Sequence, residues 1–298
     1  MAAMHRGDFA GAWQINDLVL AGRDPLRRDD PRLPYHMRWV WAGEPYRGRH
    51  VLVRCYHGLG DTLQFARYLP ALRAMTASVT LEAQPELCAV LEGMADHVVR
   101  FRRDAPLPPM DCNIEIMELP HALRLTPGEI PSPPYVRWGS SESLPHGAIG
   151  VCWRSGDWDP ERALPDPLAA RLVGEAGSPV VSLQPGPTPL SVLNPGGCPV
   201  RIEETATLIA GLGLVIAVDT MVAHLAGAMN RPTWLLLKHE ADWRWMADRD
   251  DSPWYPATRL YRQPAPGDWD SVVSAVLNDL RAARPQGRRF IPSTRASC

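Results

Sequence analysis

Residues 214–237, LVIAVDTMVAHLAGAMNRPTWLLL, decide the fold. Leu214 to Val218 is a short apolar, largely β-branched run, the signature of a parallel strand covered on both faces. Asp219 and Thr220 interrupt it. Val222, Leu225, Ala226 and Met229 then recur at helical spacing, and Asn230 with Pro232 ends the helix expected over 220–230. Thr233 to Leu237 is a second buried strand. Such a strand–turn–helix points backbone N–H groups and the positive end of a helix dipole beyond the strand's carboxyl end, where phosphate is favoured. His224 lies four residues after Thr220, so one helix face near that mouth carries both.

Working outward, the first half holds a second unit of the same kind. His50 to Cys55 (HVLVRC) reads as a strand, Tyr56 to Gly60 (YHGLG) as a glycine turn, and Asp61 to Ala74 as a helix interrupted at Pro70. Gly58 and Gly60 permit a tight turn and close approach of backbone to a partner. Two mouths, one per half, suggest one site built between two domains.

The pattern around these anchors alternates. Further strands are expected at 78–82, 97–101, 112–116, 148–153, 179–183 and 258–262. Helices are expected at 8–20, 86–94, 118–124, 166–174, 205–212 and 269–284. Alternation of this kind implies parallel sheets with helices on their faces. The expected domains are an arm at 1–49, a Rossmann-like domain at 50–125, a proline- and serine-rich linker at 126–146, a second Rossmann-like domain at 147–285 and a tail at 286–298. A length of 298 residues suits two domains of roughly 100–200 residues each.

Composition narrows the class. A hydrophobic fraction of 45% and a charged fraction of 21% are those of a globular protein. A net charge of −2 gives no electrostatic case for nucleic acid or an anionic membrane. No apolar run approaches the ~20 residues that span a bilayer, and the N-terminus lacks a signal-peptide core, so a cytoplasmic location is expected. Of 31 basic residues only Lys238 is lysine, which with 31 prolines looks like a coding bias. The six cysteines show no C-x-x-C spacing and read as buried thiols.

GLGDTLQFARYLP in the first half and VDTMVAHLAGAMNRPTW in the second resemble glycosyltransferase family 9, the ADP-heptose:lipopolysaccharide heptosyltransferase family. The loop DWRWMADRDDSPWYP followed by RLYRQPAPGDWD resembles the bacterial branch often fused behind tetratricopeptide repeats. The arm at 7–48 resembles the segment that joins those repeats to the transferase. The resemblance implies a GT-B fold: two Rossmann-like α/β domains facing each other across a cleft, acceptor on the first and nucleotide-sugar donor on the second. It implies Asp61 as general base, and Asp219, Thr220 and His224 as the Asp-Thr-x-x-x-His donor motif. The chain departs from the family at Met221, where heptosyltransferases usually have glycine. It departs again in CWRSGDWDPER, where they carry a lysine; Arg154 or Arg162 is expected to take the phosphate-facing role.

Sugar transfer needs a base for the acceptor hydroxyl and stabilisation of the departing diphosphate. Asp61 stands at a helix start, where an aspartate also serves simply as a cap. Asp219 would repel a phosphate there, so it either caps the helix or binds donor hydroxyls, whereas Thr220 and the amides after it suit phosphate. Gln184, ending the strand before PGP, is a candidate nucleotide contact. Asp248-Arg249-Asp250 has the spacing of a metal-binding D-x-D but sits in a charged loop and reads as solvated surface, so no metal or cofactor is expected. His57 and His121 receive no role beyond a place on the cleft rim. The expected function is inverting, metal-independent transfer of a sugar from a nucleoside diphosphate to a hydroxyl of a glycan, protein or small molecule. Two other readings stand beside it: a non-catalytic nucleotide-sugar or partner-binding domain, and an NAD-dependent oxidoreductase, for which Glu82 follows the glycine turn at dinucleotide spacing.

Overall fold

The structure, a computed structural model, describes residues 2–130, 133–140 and 144–283. The expected tail at 286–298 lies outside them. The chain divides into two compact units, Met1–Pro131 and Ser132–Cys298.

The first unit opens with helices α1 (Ala2–His5) and α2 (Phe9–Ala21). Its sheet is built from β1 (His50–Arg54), β2 (Ser78–Ala83), β3 (His97–Arg100) and β4 (Cys112–Glu115), all parallel, in the order β3-β2-β1-β4. Helices α3 (Leu59–Phe65), α4 (Leu69–Arg73) and α5 (Leu119–Leu123) complete it. The helix expected from Asp61 begins at Leu59 instead, and a 3₁₀ turn at Ala66–Tyr68 divides it just before Pro70. Proline has no N–H and its ring clashes with the carbonyl one turn earlier, so the α ladder stops there and restarts. The helix expected at 86–94 does not form. Pro85–Leu87 make one 3₁₀ turn, and Gly93 takes a φ of +81°, which ends any continuation.

The arm is pinned to this unit. Arg23 pairs with Glu118, Tyr46 donates its hydroxyl to the Ala122 carbonyl at 2.9 Å, and Asp17 accepts from His121 at 2.9 Å. Near the carboxyl ends of β1 and β2, Tyr56 donates to Asp29 at 2.6 Å, and Tyr35 packs on both Tyr56 and Phe101.

The second unit holds β5 (Ile149–Cys152), α6 (Asp166–Glu175), β6 (Val180–Ser182), α7 (Ile202–Gly211), β7 (Leu214–Val218), α8 (Met221–Ala228), β8 (Thr233–Leu237), β9 (Thr258–Arg262) and α9 (Trp269–Ala283). Its parallel sheet runs β6-β5-β7-β8-β9. Every residue of β7 and β8 is buried, as their unbroken apolar runs require. Each large aliphatic side chain they remove from water contributes about 1.5–3 kcal/mol. α6 and α9 pack on one face through Leu172, Val173, Val273 and Val276. The segment read as a linker is partly docked on this unit: the amides of Tyr135 and Val136 donate to the Ala228 carbonyl, and the Trp138 indole donates to Thr207.

Both sheets have a reversal point in strand order, between β1 and β4 in the first unit and between β5 and β7 in the second. In open α/β sheets, ligands bind outside the carboxyl ends of the strands at such points.

Candidate functional site

In the second unit, a pocket of about 250 Å³ opens at the reversal point. Its lining includes Arg154 and Ser155 after β5, Gln184 after β6, and Thr220 with Met221 after β7. These sequence candidates meet because each follows the carboxyl end of a neighbouring strand. Thr220 is the extended N-cap of α8, at φ −153°, and makes no side-chain cap bond. Met221 and Val222 form the first turn of α8 and line the pocket, so amides that no helical carbonyl can satisfy border it. Met221 is itself part of the wall. Gln184 is fixed rather than free: its Oε1 accepts from the Arg154 amide at 2.9 Å and from the Cys152 thiol at 3.6 Å. Burial pushes that thiol up to about 12, so Cys152 is a neutral donor.

The far wall depends on a glycine. Gly197 has a φ of +90°, and a Cβ there would lie 1.9 Å from the Gly186 carbonyl oxygen. That close approach lets the Cys198 amide donate to the Gln184 carbonyl at 2.8 Å, bringing both residues into the pocket wall.

Charge at the mouth is paired. The Arg154 guanidinium holds both oxygens of Asp166 at 2.7 Å. Arg162 does not line the pocket; it donates to the Asp219 backbone carbonyl at 3.2 Å, tying the loop after β5 to the loop after β7. Lys238, passed over in the sequence, leaves the end of β8 and reaches Asp159 at 2.8 Å and Glu161 at 3.1 Å. The Asp159 carboxylate raises the Lys238 ammonium above the usual lysine range.

Asp219 and His224 stand differently from the expectation. Asp219 does not cap α8; its buried carboxylate accepts the Trp245 indole N–H at 2.9 Å. His224 is buried, stacks on Trp245 with ring centroids 5.5 Å apart, and shares a 3.0 Å hydrogen bond with the Tyr255 hydroxyl. Its other nitrogen is 3.8 Å from Asp219. Neither residue lines the pocket. The helix face shared by Thr220 and His224 therefore divides: Thr220 meets the pocket, and His224 joins a buried cluster with Asp219, Trp245 and Tyr255.

In the first unit the glycine turn lies at the end of β1. Asp61 is the third residue of α3, and its Oδ2 accepts the Gly58 amide at 2.9 Å. The expected turn needs no left-handed backbone: Gly58 has a φ of −71°. A Cβ on Gly58 would come within 3.2 Å of the Asp61 carboxylate, so what glycine supplies here is room. Register aligns Glu82, Arg54 and Glu115 across β2, β1 and β4, and all three are buried. Arg54 and Glu82 approach to 2.6 Å. Glu82 is thus committed to an arginine rather than open to ribose hydroxyls. Gln84 also bridges Thr62 and the His57 carbonyl beside the turn, which weighs against the dinucleotide reading.

Asp248, Arg249 and Asp250 lie outside any strand, and Arg249 forks onto Asp251 at 2.7 and 2.8 Å, as a solvated loop would. Among the described residues there is no group of three or more His, Cys, Asp or Glu side chains placed to hold a metal. Five cysteines are free there, four of them buried. No described helix is long and apolar enough to cross a membrane.

Two parallel α/β units of this kind are those of the GT-B fold, which the solved structures similar to this chain share. Residues 198–237 match the family model described as glycosyltransferase family 9 (heptosyltransferase), the stretch that carries α7, β7, α8 and β8. The chain is similar in fold to the family 9 glycosyl transferase of Veillonella parvula DSM 2008, with a TM-score of 0.55 and 13% identity over 80% of this chain and 90% of that one. ADP-heptose LPS heptosyltransferase II of E. coli gives 0.56 and 14%, covering 80% and 99%. TibC, a dodecameric iron-containing heptosyltransferase solved with ADP-D-beta-D-heptose, gives 0.57 and 11%, covering 80% and 78%. Protein FlbA of Caulobacter vibrioides is 24% identical over 286 residues, 81% of this chain and 48% of that protein. The chain spans about half the length of this curated relative.

Proposed function

We propose that the protein is an inverting glycosyltransferase that moves a sugar from a nucleoside diphosphate to a hydroxyl acceptor, without a divalent metal. The observation that carries this reading is the pocket at the β5/β7 reversal point, with Thr220 and the first amides of α8 on its wall. A departing diphosphate gathers negative charge. Amides at a helix N-terminus, a threonine hydroxyl and the Arg154 guanidinium are groups that stabilise it. Arg154 is held by Asp166, so the diphosphate would take over an arginine already fixed in place. An adenosine diphosphate sugar is the first donor to test, because TibC is bound to one. The wall formed by Met221 leaves the sugar itself open. Asp61, on the first unit, takes the acceptor's proton. Asp219 and His224 support the donor loop from behind, through Trp245 and Tyr255.

Thr220→Val keeps the shape and removes the hydroxyl. It is expected to weaken nucleoside-diphosphate binding by about 1–2 kcal/mol, the scale of a hydrogen bond to a charged group. Isothermal titration of both proteins with adenosine diphosphate checks this, and equal affinities would remove Thr220 from the site.

A further inference from the structure

The turn that presents Asp61 also presents an oriented histidine. His57 directly precedes Gly58, and its Nδ1 lies 3.1 Å from Glu115 Oε1. Glu115 ends β4, the strand beside β1 at the first unit's reversal point, and is buried. The same carboxylate accepts the Tyr56 amide at 3.2 Å and the Met117 amide at 2.7 Å, so it is held in one position. The His57 side chain keeps 26% of its surface exposed. A buried carboxylate on one imidazole nitrogen fixes the tautomer, directs the other nitrogen outward and strengthens it as a base. On the other side of the Gly58 amide stands Asp61.

We infer that His57, oriented by Glu115, is the group on which the acceptor's proton comes to rest. This rests on the transferase reading given above. The Asp61 carboxylate draws the hydroxyl proton, which ends on His57 Nε2. The hydroxyl oxygen forms the new bond to the anomeric carbon. The bond from that carbon to the diphosphate oxygen breaks, and its electron pair leaves with the nucleoside diphosphate. The imidazolium returns its proton to solvent when product departs. Imidazole is a stronger base than an aspartate carboxylate by over two pK units, so it retains the proton while the bond forms. The charged groups about His57 and its carboxylate partner include Glu115 from β4, Arg54, which β1 sets beside Glu115 in register, Asp61 from α3, which holds the Gly58 amide, and, beyond Glu115, Glu118 paired with Arg23. Gln84, following β2, is neutral and bonds only the His57 carbonyl.

The test is the pH dependence of transfer by the full chain, its His57→Gln variant and its Glu115→Gln variant, with donor affinity and melting temperature measured alongside. A base must be unprotonated, so activity falls as the pH drops through its pKa. The unaltered protein should lose activity below about pH 6–7, in the imidazole range. His57→Gln should turn over at least about tenfold more slowly, with unchanged donor affinity, and its acid limb should move to lower pH. Glu115→Gln removes the negative charge and should move the limb lower while keeping the imidazole. A His57→Gln protein with an unaltered pH profile and rate overturns this inference and leaves the transferase reading standing. No transfer by the unaltered protein with any donor overturns both.

Discussion

Asp61→Asn is expected to lower turnover by about 100-fold or more while leaving the melting temperature and donor affinity nearly unchanged. The asparagine side chain has the same size, and its carbonyl oxygen can accept the Gly58 amide that Asp61 now holds at 2.9 Å. It cannot draw a proton from a hydroxyl. The bond to Gly58 could equally be the whole purpose of Asp61, since a side-chain oxygen at the third helical position satisfies the N-cap amide and an asparagine oxygen can do the same. The two roles part at this variant. A residue that only caps gives an active Asp61→Asn protein, and an Asp61→Ala protein that loses about 1 kcal/mol of stability and little activity. Turnover and thermal unfolding of both variants decide between them, and a fully active Asp61→Asn ends the claim that Asp61 draws the acceptor's proton.

The second large effect is structural and lies behind the donor loop. Trp245 is fully buried, donates its indole N–H to Asp219 and stacks on His224. Trp245→Ala should destabilise the fold by about 3–5 kcal/mol, since it opens a large cavity and takes the indole N–H from a buried carboxylate. Against a total stability of about 5–15 kcal/mol, that is a large loss. Trp245→Phe keeps most of the packing and removes the N–H, so it should cost about 1–3 kcal/mol. Urea unfolding of the three proteins measures both. If Trp245→Phe unfolds like the unaltered protein, the indole bond does not hold Asp219.

The strands at 214–218 and 233–237 are legible to the residue, because a buried parallel strand is an unbroken apolar run bounded by polar turns. The helix at 86–94 was misread: an apolar periodicity does not show that Pro85 and Gly93 leave room for a single turn. Arg154, Gln184, Thr220 and Met221 were legible as a group, since residues just past strand ends are what a reversal point gathers. Asp219 and His224 are legible as a pair, but the side chains they touch are not. Their partners, Trp245 and Tyr255, lie 26 and 31 residues further on in a loop without periodicity. His57 gave no signal because Glu115 is 58 residues away and becomes its neighbour only through the pairing of β1 with β4. Lys238 was hidden for the same reason, 77 residues from Glu161.

Sugar transfer from a nucleoside diphosphate is measured by incubating the protein, in EDTA, with a panel of nucleoside diphosphate sugars and hydroxyl acceptors, and following sugar-bearing product and free nucleoside diphosphate by mass spectrometry. One donor is expected to yield both in equal amounts, undiminished by the chelator. Turnover abolished by EDTA and restored by manganese would contradict it, as would binding of NADH with no nucleoside diphosphate sugar bound or consumed.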